Sequence, residues 1–260
     1  MNHYIFEDKS EEREYRRLQL VEAANDPTTI VLLEETGIRP GWHCLELGAG
    51  AGSMLRWLGD RVGPTGLAVG MDKKITYLHD FDSPPFHIYQ GSFLEVPINQ
   101  CFDLIHVRYV LIHNQEDMTI LDKMLSLLKP GGWAVVEEPD FTSATLPDHE
   151  KDSPQARVNR AMCQMFLNIG LDPAYALGLP RKLEEAGFSV QQAQSLMHLC
   201  PGNSPMAKVM GESALVLERE YVNTGLCSSE DIQHYVRLSQ DSTYWAIYHS
   251  TTSVIVRKSL

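Results

Sequence analysis

The chain has 260 residues, 43% hydrophobic and 22% charged, and 34 Asp and Glu against 22 Lys and Arg give a formal net charge of −12. That balance suits one principal globular domain with a real core. It argues against extended disorder, and against a nucleic-acid groove or an anionic membrane surface, both of which need a basic face. The five cysteines are scattered without a Cys-x-x-Cys pair, the N-terminus is charged, and no apolar run approaches the ~18 residues of a membrane span, so reduced thiols and a cytoplasmic location are expected.

In chain order, Tyr15, Leu18 and Val21 recur at three-residue steps among charges and predict a first amphipathic helix over 9–24. Asp26 and Pro27 supply a cap and first-turn proline for a second helix to Leu33, stopped near Gly37. From Trp42 the texture changes. WHCLEL reads as a strand, SMLRWLGDRV as a helix, GLAVGM as a strand and KKITYLHDF as a helix. FHIYQ, FDLIHV and WAVVEE are further strands, with DMTILDKMLSLL a helix between the last two. This alternation predicts an α/β fold: a Rossmann-like, doubly wound, mostly parallel sheet of seven strands, with ligands outside the carboxyl ends of the strands. Past Pro139 the alternation breaks. Residues 141–171 and 202–237 read as helical insertions, separated by the helix PRKLEEAGF and the strand SVQQAQSLMHL, and SVIVRK closes the chain as a last strand.

Residues 45–53 read LELGAGAGS, with Gly48, Gly50 and Gly52 at alternate positions between a strand and a helix. Such a turn brings backbone against a ligand, although its glycines also serve tight geometry alone. The spacing is not the G-x-G-x-x-G of dinucleotide binding, and no Gly-Lys-Ser/Thr follows to make a phosphate loop. Asp72 ends the next strand, where a carboxylate accepts from ribose hydroxyls. Glu46 is placed in the turn itself, where it would repel a pyrophosphate and suit an ammonium or sulfonium. The pair therefore points to adenosine and away from a nicotinamide dinucleotide.

With QGSF after the third strand, then FDLIHVRYVLIH, a helix and LLKPGGWAVVEEPD in that order, the sequence resembles the class I S-adenosylmethionine-dependent methyltransferases, in particular a bacterial group of small-molecule enzymes. The resemblance implies a single domain over 1–260: a helical lid at 1–40, a cofactor-binding core at 41–140, and the insertions 141–171 and 202–237 as an acceptor cap. It implies S-adenosyl-L-methionine as cofactor. Glu46, Gly48, Ala49 and Gly50 would line the methionine end, and Asp72 with Lys73 beside it the ribose. Ser92 and Phe93 would contact the adenine, and Arg108 would lie beneath the sulfonium. Many relatives carry Asp where this chain has Ser92, which offers only a neutral hydroxyl, a bond weaker by roughly 1 kcal/mol.

Methyl transfer requires mainly that the nucleophile be held in line with the methyl group, helped by a base where a proton must leave. His113, after the fourth strand, is the first candidate base, weighed against a role in fixing the loop. His106 reads as a satisfied strand histidine and His149 as a solvated loop residue. Glu138 and Asp140, after the fifth strand, point toward the ligand edge. Two carboxylates make a poor metal site, so no metal is expected. Tyr4 and Tyr15 are candidates for closure over the cofactor, and Met162, Met165, Met206 and Met210 for core or a flexible apolar acceptor pocket. The function expected is methylation of a small, fairly apolar metabolite on O, N or C, with neither nucleic acid nor membrane as partner and a homodimer through the second insertion open. The alternative is a protein of this fold that binds the cofactor or its demethylated product without transferring methyl; a nicotinamide oxidoreductase ranks third.

Overall fold

The computed structural model describes residues 10–144 and 150–260; Tyr4 and His149 lie outside the described residues. Its elements are α1 (Glu11–Glu35), β1 (His43–Leu47), α2 (Ser53–Val62), β2 (Leu67–Asp72), β3 (Phe86–Gln90), β4 (Phe102–Arg108), α3 (Asp117–Leu127), β5 (Leu128–Asp140), α4 (Pro154–Asn168), α5 (Leu179–Glu185), β6 (Ser189–Pro201), α6 (Pro205–Val216), α7 (Glu218–Val222), α8 (Ser229–Gln240) and β7 (Trp245–Arg257). Seven strands form one sheet in the order β3-β2-β1-β4-β5-β7-β6. The pairs β1–β2, β1–β4, β2–β3 and β4–β5 are parallel. The Gly131 N–H donates to Lys258 O and the Lys258 N–H to Gly132 O, so β7 runs antiparallel to β5. The predicted seven-stranded, mostly parallel doubly wound sheet is the observed one, with its order reversing between β1 and β4.

Two predicted details are corrected. The N-terminal segment is one helix, α1, running through Pro27. An interior proline forfeits one i→i−4 bond; here Thr29, Leu32 and Leu33, just beyond it, are buried, and that packing offsets the loss. The helix stops as expected, with Gly37 at φ +76° and its N–H on Glu34 O. The segment KKITYLHDF is not a helix but a series of turns, in which the Leu78 N–H donates to Ile75 O and the Phe81 N–H to Leu78 O. The three-residue apolar spacing is real, since Leu78 and Phe81 are buried in the core, but consecutive turns satisfy it as well as a helix does.

The chain divides into two compact units. One comprises residues 25–138, 178–194 and 252–260. Its core gathers Leu32 and Leu33 of α1, Leu55 and Leu58 of α2, Cys44 of β1, Ala68 of β2, Leu104 of β4 and Val135 of β5. The other comprises residues 1–24, 139–177 and 195–251. In it α8 packs against α4 and α6, and Met162, Met165, Met206 and Met210 are buried, so the apolar faces of the second insertion are consumed inside this unit. Ser153, Ser204 and Ser228 cap α4, α6 and α8, the last with a full capping box to Asp231, and Asp231 also takes Arg157 of α4. All five cysteines are free; Cys44 and Cys227 are buried and Cys101 is exposed. No helix among the described residues is long and apolar enough to cross a membrane.

Candidate active site at the carboxyl ends of β1, β2 and β4

The strand β1 ends at Leu47, and the next five residues, 48–52, form the glycine turn before α2. Gly48, Gly50 and Gly52 have φ of +78°, +55° and +96°, a region closed to most side chains. A Cβ on Gly48 would lie 2.4 Å from Val110 Cγ2, and one on Gly52 2.6 Å from the Phe81 ring. The turn is pinned to β2: the N–H groups of Gly48 and Ala49 donate to Met71 O at 2.8 and 3.1 Å, and the Gly50 N–H donates to Asp72 Oδ2 at 3.0 Å. The other Asp72 oxygen accepts the Lys74 N–H at 3.0 Å. Burial pushes the Asp72 carboxyl above its ordinary value, against three backbone bonds and the charge of Lys73 that pull it down. Asp72 keeps partial exposure, and a carboxylate has room for further donors.

Beyond β3, Gly91 turns at φ +138° and its N–H donates to Asp72 O, which sets Ser92 and Phe93 beside the end of β2. Ser92 is partly exposed, whereas the Phe93 ring is buried under Lys123, whose ammonium lies 5.0 Å from the ring centre. Lys73 is exposed, and its carbonyl accepts from the Gln90 amide.

Glu46 is not in the turn. It lies in β1, buried, and its register partner on β4 is His106. His106 Nδ1 is 2.6 Å from Glu46 Oε2 and Nε2 is 3.1 Å from Glu137 Oε2. Glu137 also accepts from Thr29 of α1 at 2.7 Å and from Ser253 of β7 at 3.1 Å. Arg108, at the end of β4, donates to Thr29 Oγ1 and Asp26 Oδ1, each at 2.8 Å. Its guanidinium is thus engaged by α1. Burial alone would lower the His106 pKa, but the two carboxylates outweigh it and push the group up to about 9. The same imidazolium, with Arg108, holds the Glu137 carboxyl below its ordinary value. His106 is the satisfied strand histidine that the sequence predicts, but as a charged bridge, which the sequence reading missed. Its signal was a polar residue on each of two buried neighbouring strands.

Glu138 does not point freely toward the ligand edge. It is fully buried and accepts the N–H groups of Val110, Leu111 and Ile112, tying β5 to the one-turn 3-10 helix Leu111–His113. Burial nevertheless pushes its carboxyl up to about 8. Asp140 accepts from the N–H and hydroxyl of Thr142. Both carboxylates therefore serve local structure. Among the described residues no group of three or more His, Cys, Asp and Glu side chains could hold a metal ion. His113 ends the 3-10 turn, half-buried, with its N–H on Val110 O.

Groups held above their ordinary pKa in the folded protein contribute stability that is full below the unfolded value and lost as pH rises through the folded value. For Glu138 that window runs from 4.5 to about 8, and for His106 from 6.5 to about 9. The melting temperature is therefore expected to fall between pH 6.5 and 9 in calorimetric scans, and His106→Asn to flatten the upper part of that decline.

The residues fit an adenosine cofactor that carries positive charge. The glycine turn leaves backbone exposed to close approach, Asp72 stands beside it, and Glu46 brings a second carboxylate to the same strand ends. The family of methyltransferase domains matches residues 9–204. The chain belongs to that family. Over 167 residues it is 28% identical to a 37.1 kDa protein encoded in transposon Tn4556 of Streptomyces fradiae, covering 62% of this chain and 47% of that one. The chain thus spans about half the length of this relative. A 43-residue stretch is 42% identical to methyltransferase str3 of Strobilurus tenacellus, 16% of either chain. Among solved structures it is similar to phosphoethanolamine N-methyltransferase 2 of Haemonchus contortus in complex with S-adenosyl-L-methionine, with TM-score 0.56, 13% identity, and coverage of 90% of this chain and 53% of that one. The [4+2]-cyclase SpnF superposes with TM-score 0.59 at 18% identity, covering 90% and 82%. These likenesses establish the fold. As a member of this methyltransferase family the chain takes S-adenosylmethionine as its cofactor.

Proposed function

We propose that the protein transfers a methyl group from S-adenosylmethionine to a small, fairly apolar metabolite at an O, N or C atom. The bound cofactor supplies an electrophilic methyl on a sulfonium. The observation that carries the reading is the glycine turn pinned to Asp72 and followed by no phosphate-binding lysine. In this reading Asp72 accepts the ribose hydroxyls, Gly48, Ala49 and Gly50 give backbone contact at the methionine end, Lys73 flanks the ribose, and Ser92 and Phe93 border the adenine. The net charge of −12 supports a small acceptor over nucleic acid, and a cytoplasmic site of action accords with the free thiols. The test is transfer of labelled methyl from S-adenosylmethionine to a panel of apolar hydroxy, amino and enolic compounds, with oligonucleotides and proteins in parallel. Label entering a small molecule alone is the expected result; label entering only macromolecules would refute it.

His113 is assigned the removal of the acceptor's proton. Its replacement by Asn is expected to lower kcat by about 10² or more while the cofactor Kd stays within twofold, as loss of a general base does. An unchanged kcat would leave His113 the loop-fixing role. The second reading, cofactor binding without methyl transfer, is favoured by the likeness to a cyclase. Tight binding with no label transferred to any acceptor would select it.

A further inference from the structure

Glu46 and His106 face each other across β1 and β4, and the ring is gripped on its far side by Glu137, itself held by Thr29 and Ser253. A buried neutral histidine is satisfied by one donor and one acceptor, whereas this fully buried ring faces a carboxylate at each nitrogen, so both nitrogens donate and the ring is an imidazolium. The bond to Glu46 engages Oε2 only. Because Nδ1 is directed by the fixed ring, it also fixes the rotation of the Glu46 carboxylate and so the direction of Oε1. We propose that His106 is a positioning residue that sets the Glu46 carboxylate to receive the ammonium of the cofactor's methionine moiety, and so selects a cofactor bearing that amino acid over the bare adenosine thioether. The inference rests on the reading of the glycine turn as the cofactor site.

The charges around the ring agree with this role. Glu46 of β1 and Glu137 of β5 flank it, Arg108 of the same strand lies near Glu137, and Asp26 of α1 answers Arg108. With the ring charged, three carboxylates face two cations. The cluster carries one unit of negative charge, which a single ammonium neutralises.

Two substitutions separate the role from general structure. The amide of Asn reaches roughly where Nδ1 sits and that of Gln roughly where Nε2 sits. His106→Asn therefore retains the bond to Glu46, while His106→Gln retains the bond to Glu137 and releases Glu46. The measurement is the ratio of calorimetric affinities for S-adenosylmethionine and for 5′-methylthioadenosine, which lacks the amino acid. His106→Gln is expected to reduce this ratio about tenfold, the worth of one charge-assisted bond, with His106→Asn within about threefold of wild type. A ratio unchanged in His106→Gln, or lowered equally in both variants, would overturn the proposal. Should His106→Gln not fold, Glu137→Gln loosens the ring from its far side and is expected to lower the same ratio about threefold; no change there overturns the proposal equally. Wild-type protein that binds neither ligand would overturn the cofactor-site reading as well. Wild-type protein that binds both, with the ratio indifferent to position 106, overturns this inference alone.

Discussion

Replacement of Asp72 by Ala is expected to weaken S-adenosylmethionine binding by about 30- to 100-fold, the loss of one or two hydrogen bonds to a charged acceptor. The geometry makes Asp72 serve twice. Its Oδ2 holds the Gly50 N–H and its Oδ1 the Lys74 N–H, so the carboxylate shapes the turn before any ligand arrives. Gly50 sits at φ +55°, a conformation open to glycine, and this bond is one of three that pin the turn to β2. The alanine variant thus loses one of those pins together with the ribose acceptor. Asp72→Asn, which keeps one carbonyl acceptor, is expected to fall between wild type and alanine. Isothermal titration of the three proteins checks the order, and equal affinities would exclude Asp72 from the site.

The second large effect concerns stability. Arg108→Leu is expected to destabilise the protein by about 2–3 kcal/mol, because it leaves the half-buried Asp26 carboxylate without its cation and removes the donor to Thr29. For a chain of this size that corresponds to a fall of about 5–10 °C in Tm. The double variant Asp26→Leu/Arg108→Leu is expected to recover part of the loss, since replacing both members of a partly buried pair removes the uncompensated charge. Thermal melts followed by circular dichroism decide it. A single variant as stable as wild type would mean that Arg108 does not tie β4 to α1.

Much of this was legible in the sequence because it was local. The alternation of strands and helices from Trp42 to Asp140 follows from short-range periodicity, and the LELGAGAGS turn from glycines whose positive φ no other residue would tolerate cheaply. Local signals also misled. The spacing of Ile75, Leu78 and Phe81 fits a helix, yet the chain answers it with turns, and Pro27 reads as a helix start although tertiary packing carries α1 through it. Strand β7 begins eight residues before the apolar SVIVRK, because Ser250, Thr251, Thr252 and Ser253 are polar yet buried in the sheet. The Glu46–His106–Glu137 bridge was out of reach for a different reason. Its members come from three strands up to 91 positions apart, and only the register that sets Glu46 opposite His106 joins them. Glu46 was assigned to the turn because its distance from Gly48 is two residues, too short for periodicity to place the end of a strand.

The most direct test of the account is calorimetric titration of the wild-type protein with S-adenosylmethionine and, separately, with NADH. Micromolar binding of S-adenosylmethionine and none of NADH is expected, because a pyrophosphate would lie against the strand end that carries Glu46, with no cation among the turn residues 48–52. Binding of NADH alone, or of neither, would contradict it.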